Sequence, residues 1–132
     1  DHPVGAVALV QRGRGRGQQA LAQGAVESAL EAFARATTLA PDEGLPWVYL
    51  GYCRHTLRST DPGAADQALA EMVGGCRLVP NAPDAHLLRA RLLRDRGKWP
   101  AARNAYERVL HLDPDHREAL DGLRAIASQL EA

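Results

Sequence analysis

The stretch Ala102-Arg103-Asn104-Ala105-Tyr106-Glu107-Arg108-Val109, closed by Asp113-Pro114, decides the fold. Ala102 and Tyr106 are four positions apart, so they share one helix face, and Pro114 stops the helix. The same arrangement recurs upstream. Ala29-Leu30-Glu31-Ala32-Phe33 leads to Pro41, and Ala68-Leu69-Ala70-Glu71-Met72 leads to Pro80. The three prolines lie 39 and 34 residues apart, a period that belongs to stacked helical units rather than to one undivided core.

A second helix precedes each of these. The middle one reads Pro46-Trp47-Val48-Tyr49-Leu50-Gly51-Tyr52-Cys53, and the third reads Ala85-His86-Leu87-Leu88-Arg89-Ala90-Arg91-Leu92-Leu93. Turn residues separate the two helices of each unit: Gln23-Gly24, Ser59-Thr60-Asp61-Pro62-Gly63 and Arg96-Gly97-Lys98. Gly97 suits the left-handed conformation that ends a helix. Asp61 suits a cap, with Pro62 in the first helical position.

Trp47-x-x-Leu50-Gly51, Ala29-x-x-x-Phe33 with Pro41, and Ala102-x-x-x-Tyr106 with Pro114 resemble the motif of the tetratricopeptide repeat family. The resemblance covers residues 10–132. It implies an all-α fold, a right-handed superhelix of antiparallel helix pairs. About three units are expected, at 10–43, 44–82 and 83–116. Residues 117–132 would be a capping helix and residues 1–9 a lead-in. Small residues such as Gly51 with Ala68, or Ala90 with Ala102, let paired helices approach to about 8–10 Å. Larger side chains such as Phe33, Met72 and Tyr106 fill the remaining space. The last helix carries Ala119, Leu120, Leu123, Ile126, Ala127 and Leu130 in one apolar stripe, which suits a lid over the final unit.

The departures from the pattern are specific. In the first unit Gly13 stands where the large aromatic belongs, and Arg16 where a leucine belongs. Gly13, Gly15 and Gly17 each weaken that helix by about 1 kcal/mol relative to Ala, so it is expected to be the weakest. Gly17 is expected to keep the close-contact position. In the third unit His86 and Arg89 replace the aromatic and the leucine. The middle unit is five residues longer than 34, and the excess is expected between its helices, around 58–65.

Composition narrows the function. The chain of 132 residues has 16 basic and 16 acidic side chains, so it lacks the basic excess of a dedicated nucleic-acid binder. Lys98 is the one lysine, and the arginine and alanine content fits a GC-rich genome. The chain is expected to be part of a longer, bacterial, multidomain protein. A cytoplasmic location is the working expectation. Cys53 and Cys76 lack a CxxC spacing and read as buried small hydrophobes. The dispersed histidines form no zinc motif, and no P-loop, G-x-S-x-G or H-E-x-x-H signature occurs, so neither cofactor, metal nor enzyme activity is expected.

What remains is binding. The resemblance implies that the first helices of successive units line a concave groove for a peptide or helix of a protein partner. Carried over by position, the groove takes Arg14 and Gln18 from the first unit and Tyr49, Tyr52 and His55 from the second. Leu88, Arg91, Arg94 and Asp95 come from the third. Tyr and Arg are the usual anchors of interfaces. A subset of the family grips acidic chaperone tails with a Lys/Asn/Lys/Arg carboxylate clamp. Here Tyr49, Asp84 and Leu88 occupy clamp positions, and Asp84 would repel an acidic peptide. The alternatives are self-association into a homo-oligomer or docking onto the parent protein. A third, nucleic-acid contact through Arg12, Arg14 and Arg16, is disfavoured by the neutral charge and the lack of interleaved aromatics.

Overall fold

The computed structural model describes residues 4–57 and 62–131. Among the described residues there are seven helices and no strand: α1 (Val4–Ala22), α2 (Val26–Leu39), α3 (Gly44–Leu57), α4 (Pro62–Leu78), α5 (Pro83–Asp95), α6 (Trp99–Leu112) and α7 (Arg117–Glu131). The fold is an all-α helical repeat. Helices α1–α4 and α5–α7 form two compact units that meet in sequence between Val79 and Pro80. Helix α1 begins inside the expected lead-in, and Asp61 lies outside the described residues.

In the first unit, two close approaches set the geometry. A Cβ on Gly17 would lie 2.5 Å from the Phe33 ring, so the fully buried ring occupies the space over that glycine. Between α3 and α4 the approach is by backbone. A Cβ on Gly51 would lie 2.5 Å from the Ala68 carbonyl, and one on Gly75 would lie 2.6 Å from the Gly44 carbonyl. The expected Gly51–Ala68 crossing is therefore present. Cys53 and Cys76 are both buried, and burial pushes the Cys53 pKa up to about 12. Cys53 is thus a packing residue, not a nucleophile.

The two short hairpins turn in the same way. Gly24 and Gly97 have φ of 78° and 71°. Ala25 N–H then donates to the Ala20 carbonyl (2.8 Å), and Lys98 N–H to the Leu93 carbonyl (2.9 Å). These six-to-one bonds satisfy carbonyls that the helix ends leave over.

The length of the middle pair has a different origin from the one the sequence suggested. Helix α4 has 17 residues where α6 has 14, and α3 has 14 where α5 has 13. Most of the excess therefore lengthens the helices, and residues 62–65 are helical rather than loop. Pro62 opens α4, where its missing N–H is harmless.

In the second unit, Leu87, Ala90, Leu93, Ala102, Ala105, Tyr106, Val109, Ala119 and Ile126 form one buried cluster. Helix α7 adds its stripe to this cluster, so the last helix closes the core of its own unit. The Tyr106 ring lies directly over Gly122 and leaves no room for a Cβ there. His116 caps α7: its Nδ1 accepts the Ala119 N–H at 3.3 Å.

Candidate functional site

The expected binding face divides between the two units. In the first unit, α1 supplies Arg14 and Gln18, and α3 supplies Tyr49, Tyr52 and His55. Arg14, Tyr49, Tyr52 and His55 are half-buried, and Gln18 is exposed. Gln18 Nε2 donates to the Tyr49 hydroxyl at 3.2 Å, so these two expected residues do come together. Tyr49 has a second role that helical spacing did not reveal. Its ring stacks on Phe33, with centroids 4.7 Å apart and planes 9° from parallel. Tyr49 is thus part of the α2–α3 seam and not simply a surface anchor.

In the second unit, Arg91 and Leu88 differ from expectation. Leu88 is only 4% exposed, so it is a packed residue and offers no apolar surface to a ligand. Arg91 makes a bidentate ion pair with Glu118, Nε and Nη2 each donating to one carboxylate oxygen. The guanidinium ties α5 to α7, and its hydrogen bonds hold the Glu118 pKa below the usual carboxylate range. Arg94 is exposed, and its Nη1 donates to the Tyr106 hydroxyl at 3.4 Å. Asp95 is exposed at the end of α5.

His86 explains one departure from the repeat. Trp47 Nε1 donates to the Pro41 carbonyl at 2.8 Å. His86, in the same position after Pro80, holds the Pro80 carbonyl through Nε2, also at 2.8 Å. A carbonyl only accepts, so Nε2 carries the proton. Two unlike rings thus make one bond, because both place a ring N–H at the same reach from the helix. Burial lowers the His86 pKa, and the Pro80 bond opposes that shift while Arg89 and Arg108 reinforce it. His86 is a structural residue.

In α1 the corresponding position is Gly13, and no ring fills it. A cavity of about 110 Å³ opens there between α1 and α2. Gly13, Ala32 and Ala36 line its depth, Leu9 and Leu39 its walls, and Arg12, Arg16 and Arg35 its rim. None of the lining residues is acidic. Only the missing aromatic signalled this site in the sequence, and that signal read simply as weakness. Arg35 was missed because it comes from the other helix.

Among the described residues no group of three or more His, Cys, Asp or Glu side chains is arranged to hold a metal. No described helix is long and apolar enough to cross a membrane.

Comparison with known proteins agrees with this architecture. Tetratricopeptide repeat family models match residues 14–86 and 83–127. The chain is 36% identical over 110 residues to an Arabidopsis thaliana protein described as "Protein CTR9 homolog", covering 83% of this chain and 10% of that protein. It thus spans about a tenth of that relative's length. Among solved structures, the first TPR of Spaghetti (RPAP3) bound to the HSP90 peptide SRMEEVD superposes with a TM-score of 0.76. That pair is 21% identical, with 96% of each chain covered. The second TPR domain of human RPAP3, in complex with the HSP70 peptide SGPTIEEVD, gives a TM-score of 0.73 at 19% identity. It covers 92% of this chain and 98% of that one. With its repeat motifs, its glycine-seated crossings and a family match across more than half its length, the chain belongs to the tetratricopeptide repeat family.

Proposed function

We propose that this chain is a non-enzymatic protein–protein interaction module that binds a peptide or helix of a partner on the faces of its first helices. The observation that carries this reading is the α1–α3 face. Arg14, Tyr52 and His55 keep part of their surface in solvent there, while the apolar side chains of α3 such as Val48, Leu50 and Cys53 are buried. A half-exposed tyrosine offers a rigid apolar body with a polar edge, and tyrosine and arginine are common anchors of peptide-binding faces. Peptide complexes of the structural neighbours support the same reading. On the second unit, Arg94 and Asp95 are the candidate contacts. The module is read as a segment of a longer, bacterial, multidomain protein.

Selection of peptides from a random library against the chain tests this. Selected peptides should lose about tenfold or more in affinity to Tyr52→Ala or Arg14→Glu, with the melting temperature held within a few degrees. Peptides indifferent to both variants would remove the α1–α3 face from the function. Acidic chaperone tails are not the expected ligand, because Asp84 and Tyr49 stand where the clamp needs Lys and Asn. Calorimetry with SRMEEVD should therefore show no micromolar binding.

A further inference from the structure

The cavity at Gly13 faces away from the proposed peptide face. Leu9, Arg12, Gly13 and Arg16 follow the three- and four-residue steps of one side of α1, and Arg14 and Gln18 project from the other. Two of its walls are large apolar side chains left exposed: Leu9 is 49% and Leu39 is 37% exposed. Its three rim arginines are exposed, and no ion pair among the described residues joins them to a carboxylate. An apolar hollow ringed by one sign of charge is complementary to a ligand that is apolar at the centre and acidic around it.

We propose that this cavity binds an aromatic side chain of a protein segment whose flanking residues are acidic. The volume is of the order of cavities that admit one benzene-sized ring, about 150 Å³. A phenyl ring seated between Leu9 and Leu39 would occupy the repeat position that Trp47 and His86 fill with their own rings elsewhere in the chain. Arginine suits the rim because its planar group both pairs with carboxylates and lies flat on an aromatic face. A nucleic acid fits less well. Its bases would need aromatic side chains to stack on, and none lines the cavity.

The probe is a fluorescein-labelled, terminally blocked peptide, Gly-Asp-Glu-Phe-Glu-Asp-Gly, titrated against the whole chain at low salt. Saturable binding in the range of about 10–100 μM is expected. Replacing its phenylalanine by serine, or its acids by amides, should weaken binding by about tenfold or more. Gly13→Trp should block the cavity to the same extent. A Cβ on Gly13 has only ordinary contacts, at 3.7 Å to the Ala32 carbonyl and 4.0 Å to Ala36, so the variant is expected to fold. Arg16→Glu with Arg35→Glu is the independent second variant and should give the same loss, whereas Tyr52→Ala should leave binding unchanged. The proposal is overturned by no saturable binding up to about 1 mM, or by wild-type affinity in both cavity variants. It also falls if a single-stranded oligonucleotide of equal charge displaces the peptide as well as unlabelled peptide does.

Discussion

Helices α1 and α7 are the first and last of the described helices, and they are built in opposite ways. Helix α7 concentrates its apolar residues on one stripe, buries Ala119, Gly122 and Ile126, and is held at its first turn by the Arg91–Glu118 pair. Helix α1 has three alternating glycines, exposed arginines and a cavity where its neighbours in the repeat have a ring. Yet each is seated by the same device, an aromatic ring laid over a glycine: Phe33 on Gly17 and Tyr106 on Gly122. The device needs one small residue on one helix and one ring on the other. It therefore survives in a helix whose remaining sequence has drifted far from the pattern. What separates the two helices is the rest of the apolar stripe.

Removing the ring should have the largest effect. Tyr106→Ala and Phe33→Ala each empty a fully buried site and should cost about 3–5 kcal/mol, read by denaturant unfolding. A much smaller loss for Phe33 would mean that α1 is held less firmly than α7. Filling the glycine comes next. Gly17→Ala and Gly122→Ala both force a methyl against a ring and should destabilise by about 1–3 kcal/mol despite the better helix propensity of alanine. Equal losses would establish the shared seating device, and a neutral Gly17→Ala would break it.

Gly15 is the internal control. It has nothing within 4 Å of where a Cβ would lie, so Gly15→Ala should stabilise α1 by about 0.5–1 kcal/mol. The smallest effect belongs to Arg91→Ala. The pair is part exposed, 35% and 41%, so about 0.2–1 kcal/mol is expected at neutral pH. The sign of its pH dependence follows from Glu118, whose folded pKa lies below its unfolded value. The stabilisation is complete above the ordinary carboxylate pKa and is lost as pH falls through the lower, folded value. Melting curves of wild type and Arg91→Ala should therefore converge on acidification. Curves that stay parallel would assign the loss to packing of the arginine stem.

Much of the architecture was legible because it is periodic. Pro41, Pro80 and Pro114 mark where helices stop, and Gly51 with Ala68 marks where they cross, since close approach excludes anything larger. His86 looked like a departure and proved to be a substitution of one N–H-bearing ring for another. The candidate face was less legible. Tyr49 and Leu88 sit at the edge between a helix's buried and open sides, where one residue turns the helix by about 100°. Which way such a residue goes depends on the neighbours that reach it, and those neighbours are distant in sequence.

The sequence by itself determined the helix pairs, their phase, the glycine-seated crossings and the lid-like stripe of α7. Each follows from side-chain size and spacing along one helix or between adjacent ones. Only the tertiary structure decided that Tyr49 stacks on Phe33, that Leu88 is buried and that Arg91 belongs to Glu118. It also decided that the extra residues of the middle pair lengthen helices, and that a missing ring at Gly13 leaves a cavity framed by Arg12, Arg16 and Arg35. These outcomes depend on distances across the fold, which local pattern does not contain.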